Sequence, residues 1–573
     1  MTDKSNGSVT PNECQHVSYH LPQWDENGKC SWIDIQLQHK SLNAEAKCIV
    51  PPTKVIPVIF IPGIMGTNLK SDVGESSWNA EWFMGADSLK FVNKDGAERR
   101  RTLDPDTTKV ENRYNSISYI AHSIFSDDGH LFPTRYERQW GQALNLSYGQ
   151  FLEVFQYALL DDWQTDLYNF IPEFRAVSTK IKGVLSDLVG DKLGDTHDSP
   201  LTSSELAHFK RFLFPIHVFG YNWLKDNAIS AEELTNYIDD VLNIYKYKHG
   251  YGLAVEKVIL VTHSMGGLVA RYAMNPPKEV KFKGCQDKVL GVVHGVIPDL
   301  GSPAAYRRMK TGAGKEGNPG KVLGSTAEKL MPVLARAPAP LQLLPYPSYK
   351  SPWLTIEGEG SYPQTKDPQT GKSDPFTDIY LRNDVWWKLY QSDIIDSDKV
   401  KIDSNWDEYD ILMDNTVRNF MEHQEQGLYH PNTYVFYGTE EKTDGFLTWN
   451  KLHDNRQTVT LYYSEKKYIR KVPYVDPNRK MPHDQKKVLL SDGQYCDFIL
   501  IQSDTAGDGT VPIESLEVIK RNPTIKSVLA TNVDHQDAYA VKGVTYSEFS
   551  DAIKFTLRSI IKIVQEVDIR AAD

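Results

Sequence analysis

The sequence predicts an α/β fold in which a mostly parallel central sheet carries helices on both faces and bears large insertions. Three observations predict it. Residues 258–261 (Val-Ile-Leu-Val) make a short, wholly apolar run suited to a strand covered on both faces, and Leu268, Val269, Tyr272 and Ala273 recur after it at helical spacing. Two further strand-like runs, 495–501 and 524–531, each precede a loop that holds a carboxylate or a histidine. A fourth run, 55–61, precedes a turn flanked by Gly63 and Gly66. These segments span most of the 573 residues. One sheet must therefore be assembled across the chain, and the surplus over about 150 residues per domain reads as insertions rather than separate domains.

In chain order, residues 1–52 read as an N-terminal extension with an edge strand at 32–37. The α/β core is expected over 53–300 and 431–573, with 71–150 as an aperiodic excursion over the face that carries the site. Helices are expected at 150–163 and 172–188 and a strand at 216–219. Ser230 to Glu233 match a capping box, and Leu234, Ile238, Val241, Leu242 and Tyr245 give the following helix an apolar stripe. Residues 301–430 read as a lid and cap insertion. Its first part, 301–347, is rich in Gly, Pro and Ala and ends in Leu341, Leu343, Leu344 and Tyr346, as a hinged apolar lid requires. Its second part carries Trp353, Trp386, Trp387 and Trp406 on two expected helices, 378–391 and 406–423, with burial in the cap favoured over headgroup contact. A core strand at 433–437 and a hairpin at 458–473 follow. Phe549, Ile553, Leu557, Ile560 and Val564 mark the closing helix.

Ser264 sits between the 258–261 strand and its helix, on a sharp turn that lifts its hydroxyl to the carboxyl edge of the sheet. Asp508, in a Gly-rich loop, and His535 each follow a predicted strand. A serine hydroxyl is a weak nucleophile until a base takes its proton; His535 is suited to that near neutral pH, and Asp508 would fix its tautomer. Asp504 is the second choice of acid, with Asp534 and Asp537 as further rivals. The backbone N–H of Met265, with that of Ile64 or Met65, is placed to hold an oxyanion. Threonine at 262, where glycine is commonest, predicts a wider turn.

Net charge is −11 and the pI is near 5.8, which disfavours nucleic acid as a partner and leaves membrane contact local and apolar. No apolar stretch approaches the roughly 18–20 residues of a spanning helix, and residues 1–12 are too polar for a signal peptide. Five scattered cysteines without a Cys-x-x-Cys pair fit a reduced compartment at synthesis and no zinc site, leaving one disulfide among Cys14, Cys30 and Cys48 open. No metal-ligand cluster or cofactor motif is present.

Pro-Gly-Ile-Met-Gly at 62–66, His-Ser-Met-Gly-Gly at 263–267, Gly-Asp-Gly-Thr-Val-Pro at 507–512 and the late histidine resemble the lecithin:cholesterol acyltransferase-like branch of the α/β-hydrolases. Residues 219–223 are similar to that branch's Tyr-Asp-Trp segment, with Asn222 in place of its aspartate. Residues 293–298, 301–307 and 334–345 resemble the lipase effectors of bacterial type VI secretion systems, of their fourth lipase family. The resemblance implies the α/β-hydrolase fold and an antibacterial phospholipase or related lipid esterase. It implies membrane phospholipid as substrate, a cognate immunity protein and a secretion-apparatus contact as partners. Synthesis would be in the bacterial cytoplasm, with delivery to the periplasm or membranes of a target cell. An acyltransferase of the same fold and a non-catalytic hydrolase-fold binding protein are the alternatives.

Overall fold

Six strands, each parallel to its neighbours, form the central sheet: β1 (Val58–Ile61), β2 (Ile216–Val218), β3 (Val258–His263), β4 (Val289–Gly295), β5 (Thr433–Gly438) and β6 (Ile525–Thr531). Their order is β2-β1-β3-β4-β5-β6. They come from a computed structural model that describes residues 16–20, 23–24, 30–31, 44–48, 52–72, 76–79, 91–113, 129, 131–160, 184–195, 198–248, 252–314, 316–395, 402–452, 460–463, 466–469, 484–489, 495–543 and 545–572. The strand expected at 32–37 and most of the helix expected at 172–188 lie outside those residues.

Successive side chains along a strand point to opposite faces, so both faces of an all-apolar strand need cover. Val58, Phe60, Ile259 and Val261 pack on one side against α1 (Asn145–Leu160) and the closing helix α4 (Asp551–Val564). Ile59, Ile61, Val258 and Leu260 pack on the other against α2 (Asn227–Asn243) and α3 (Met265–Met274). The expected stripes of α2 and α4 are buried throughout, each large aliphatic side chain contributing roughly 1.5–3 kcal/mol. The start of α2 differs from the expectation. Asp226, whose carboxylate accepts the Ala228 N–H, is the N-cap, and Ser230 lies inside the helix.

A second core lies outside this sheet. Residues Leu300, Tyr306, Leu341, Leu344 and Tyr346 bury against Trp353, Trp387 and Tyr409 and a five-stranded sheet. Its order is 360–362, 354–356, 447–451, 495–502 and 485–489, with only 354–356 and 447–451 running parallel. The run at 495–501 is thus a strand, but of this second sheet and not of the central one. Only alternate side chains of it (Phe498, Leu500) are buried, which suits a sheet covered on one face. The helix expected at 378–391 is also absent. A single turn at Phe376–Tyr380 is followed by irregular chain, and the indole N–H groups of Trp386 and Trp387 both donate to the Glu359 carboxylate at 2.8 Å. Adjacent helical residues diverge too far to share one acceptor. The hairpin expected at 458–473 is represented by the antiparallel pair 460–463 and 466–469.

Candidate active site

Ser264 follows β3 directly and caps α3 with φ +52° and ψ −127°, a strained backbone that only tight surroundings sustain. Those surroundings are glycines. A Cβ on Gly266 would lie 2.5 Å from the Pro62 carbonyl oxygen, so that position must be glycine for α3 to start here, and one on Gly267 would lie 2.6 Å from the Ile297 side chain, which would have to shift. Thr262 needs no widened turn. It stays in β3 register opposite Ile61 and His294, and its hydroxyl lies 2.8 Å from His294 Nδ1. The strain falls two residues later.

The loop after β6 brings His535 Nε2 to 2.8 Å from Ser264 Oγ. His535 Nδ1 lies 2.7 Å from Asp508 Oδ2, and the His535 N–H donates to the Asp508 carbonyl at 2.7 Å. A carboxylate can only accept, so Nδ1 carries the proton and Nε2 offers a lone pair to the serine hydroxyl. The other Asp508 oxygen accepts the backbone N–H groups of Thr510 (3.0 Å) and Val511 (2.6 Å). Ser264, His535 and Asp508 are 3%, 7% and 0% exposed, so the row is buried.

Asp508 does not arrive from the strand expected to deliver it. Residues 505–507 pair antiparallel with 441–443, the segment just after β5, and this clip sets Asp508 at the end of the central sheet. A Cβ on Gly438, the last residue of β5, would sit 2.7 Å from that of Asp508. Asp504, the second-choice acid, faces solvent and pairs with Lys442 at 2.8 Å. Asp534 accepts the Gln536 N–H in its own turn, and Asp537 is exposed.

Behind the serine, a Cβ on Gly63 would lie 3.0 Å from Ser264 Cβ, so the loop after β1 abuts the elbow. The Gly63 N–H is spent on Tyr148 Oη at 3.2 Å. Ile64 and Met65 supply the next N–H groups. Met65 adopts φ +61°, and its carbonyl accepts the Trp78 indole N–H at 2.9 Å. The Met265 N–H is the first of α3, with no acceptor inside the helix, at the positive end of the helix dipole. Such a pair of donors suits a developing negative charge.

His263 and Tyr148 were not legible in the sequence as site residues. His263 Nε2 lies 2.8 Å from the His535 carbonyl oxygen and Nδ1 2.6 Å from Tyr148 Oη. Burial, reinforced by His535, pushes the His263 imidazole down to about 3, and burial raises the Tyr148 phenol, so both are neutral at physiological pH. The β-strand alternation does place His263 on the face opposite Thr262, but Tyr148 is 115 residues away and only packing joins them. Asn222 donates its amide to the carbonyl and hydroxyl oxygens of Thr108, both at 3.0 Å, which the aspartate of the resembled motif would be unable to do. Among the described residues no group of three or more His, Cys, Asp or Glu is arranged to hold a metal, and no helix is long and apolar enough to cross a membrane.

The family model described as lecithin:cholesterol acyltransferase matches residues 216–559, more than half of the chain. Among solved structures, one from the crystal structure of the Tle4–Tli4 complex is 24% identical, covers 90% of this chain and 100% of that one, and superposes with a TM-score of 0.64. The two share the α/β-hydrolase fold. EstA from Clostridium botulinum is 13% identical over 60% of this chain and 78% of its own, with a TM-score of 0.24, too low to define a common fold. No curated protein matches in sequence.

Proposed function

Because the chain belongs to the lecithin:cholesterol acyltransferase family and is an esterase- or lipase-type hydrolase, we propose that it cleaves phospholipid or related lipid esters through an acyl-enzyme on Ser264. Ser264 Oγ attacks the ester carbonyl carbon while His535 Nε2 takes its proton, and Asp508 stabilises the imidazolium. The Met265 N–H, with that of Ile64 or Met65, holds the oxyanion. Collapse breaks the C–O bond, His535 protonates the departing alcohol, and water activated by the same histidine releases the fatty acid. The observation that carries this reading is the continuous hydrogen-bonded row Ser264–His535–Asp508, all three residues buried.

A serine only 3% exposed needs an opening for a lipid to enter. Residues 301–347 are the segment we assign to that role, as lid, with 301–430 as the lid and cap insertion of a core formed by 53–300 and 431–573. Ser302 Oγ donates to the Thr510 carbonyl at 2.7 Å and the Leu300 N–H to Ser515 Oγ at 2.9 Å, so movement of the lid would be felt next to Asp508. The resemblance to type VI lipase effectors, together with the shared fold of the Tle4–Tli4 structure, supports an antibacterial effector. It would be made in the bacterial cytoplasm, neutralised there by an immunity protein, and delivered to the periplasm or membranes of a target cell.

The test is incubation of purified protein with vesicles of mixed phospholipids, followed by mass spectrometry of released fatty acid and lysolipid. Wild-type protein should release both and Ser264→Ala neither; release by Ser264→Ala, or none by wild type, overturns the reading. Acyl transfer, which the family's name favours, is separated by adding an alcohol and measuring its ester against free acid.

A further inference from the structure

Tyr148 and His263, neither of which hydrogen-bonds to the serine hydroxyl or to the imidazole of His535, although the His263 ring packs tilted against that imidazole at 5.5 Å, join the two loops on which the proposed chemistry depends. The bonds between them run in one direction. The His535 carbonyl oxygen can only accept, so His263 Nε2, 2.8 Å away, carries the proton. His263 Nδ1 therefore offers a lone pair, and the Tyr148 hydroxyl 2.6 Å from it donates. The oxygen of that hydroxyl in turn accepts the Gly63 N–H at 3.2 Å. One unbranched line thus leads from the backbone behind the serine, through two side chains, to the backbone of the residue that bears the base.

Its neighbours leave little freedom. A Cβ on Gly63 would fall 3.0 Å from His263 Nδ1, and one on Gly66 2.8 Å from the Tyr148 ring, so both glycines let the loop close onto the pair. The Tyr148 ring is edge-on to Phe60 at 5.1 Å and to His263 at 5.7 Å. His535 itself is held at its N–H by the Asp508 carbonyl, at Nδ1 by the Asp508 carboxylate and at its carbonyl by His263. Without the last of these its peptide can rotate, and the imidazole swings relative to Ser264.

We propose that Tyr148 and His263 are positioning residues that lock the oxyanion loop and the base-bearing loop to a common register, so that one bond line sets both the donor geometry at Ile64 and Met65 and the aim of His535. The proposal rests on the triad reading above. It acts on the transition state rather than on substrate binding, because both side chains are buried and spent on bonds to the two loops.

The experiment is steady-state hydrolysis of a short-chain p-nitrophenyl ester by the full-length protein and by Tyr148→Phe, His263→Phe, His263→Gln and the double Tyr148→Phe/His263→Phe, with fluorophosphonate labelling rates and circular dichroism alongside. Misplacement of reacting groups by about 1 Å costs on the order of 100-fold. Tyr148→Phe should therefore lower kcat and the labelling rate about 10–100-fold, with KM within twofold and the folded signal unchanged. The double variant should be no slower than the slower single, since one line is cut either way. His263→Gln, which keeps an N–H for the His535 carbonyl, should recover much of what His263→Phe loses. Tyr148→Phe with wild-type kcat, losses that multiply in the double variant, or a fall in kcat that only follows lost folded protein would each overturn the proposal. A wild-type protein that neither labels nor turns over defeats the parent reading as well; one that does, beside a fully active Tyr148→Phe, defeats this inference alone.

Discussion

Replacing Asp508 by Asn separates the orienting role of the carboxylate from its bulk. The side chain is fully buried and makes three bonds: one oxygen accepts the Thr510 and Val511 N–H groups, the other faces His535 Nδ1 at 2.7 Å. An asparagine will keep its carbonyl oxygen toward the two backbone donors, because turning the NH₂ on them would set donor against donor twice. Its NH₂ then faces Nδ1, which must become an acceptor, and the proton moves to Nε2. At 2.8 Å from Ser264 Oγ that nitrogen now donates instead of accepting, and the base is lost with the fold intact. The tautomer change should cost about 10⁴ in kcat, equivalent to about 5 kcal/mol. The assay is ester hydrolysis with circular dichroism as the folding control, and Asp504→Asn as the comparison, since Asp504 pairs only with Lys442 at the surface. A kcat for Asp508→Asn within tenfold of wild type, or an equal loss in Asp504→Asn, would refute the reasoning.

Two further outcomes follow from buried polar groups. Asn222→Asp places a carboxylate against the Thr108 and Pro105 carbonyls that the amide now serves, and should destabilise the protein by about 3 kcal/mol, read as a lower thermal midpoint; an unchanged midpoint would contradict the assigned bonds. His263 and His294 are each held down to about 3, by burial first and then by His535 and by Arg271 respectively, so between pH 6.5 and 3 the unfolded chain binds protons that the folded one refuses. Stability should fall as pH drops from 6.5, by about 2 kcal/mol per histidine at pH 5, and His294→Asn should lessen the fall by about that amount in urea unfolding.

The central strands were legible because two-sided burial demands unbroken apolar runs, and 58–61, 258–261 and 433–437 carry them. Ser264 was legible for the same reason, being placed by the strand before it; His535 follows the edge strand β6, whose mixed run with Lys526 and Ser527 was legible by its β-branched and apolar residues rather than by two-sided burial. Asp508 was legible as chemistry but not as geometry. The apolar run preceding it serves the second sheet, and the residue is delivered by a short clip between 441–443 and 505–507 that no periodicity marks. The false helix at 378–391 arose because its aromatic spacing fits a helix equally well, and the deciding contact, Glu359 with both indoles, joins residues 27 and 28 positions apart. Tyr148 and His263 were invisible for a related reason: a tyrosine in an apolar helix and a histidine in a strand carry no local signature, and their function lies in bonds that only the assembled sheet creates.

Fluorophosphonate labelling with peptide mapping tests the central claim most directly. The account predicts a single phosphonylated peptide containing Ser264, formed by wild-type protein and absent from Ser264→Ala. No adduct at all, or an adduct on another serine that persists in Ser264→Ala, would contradict it.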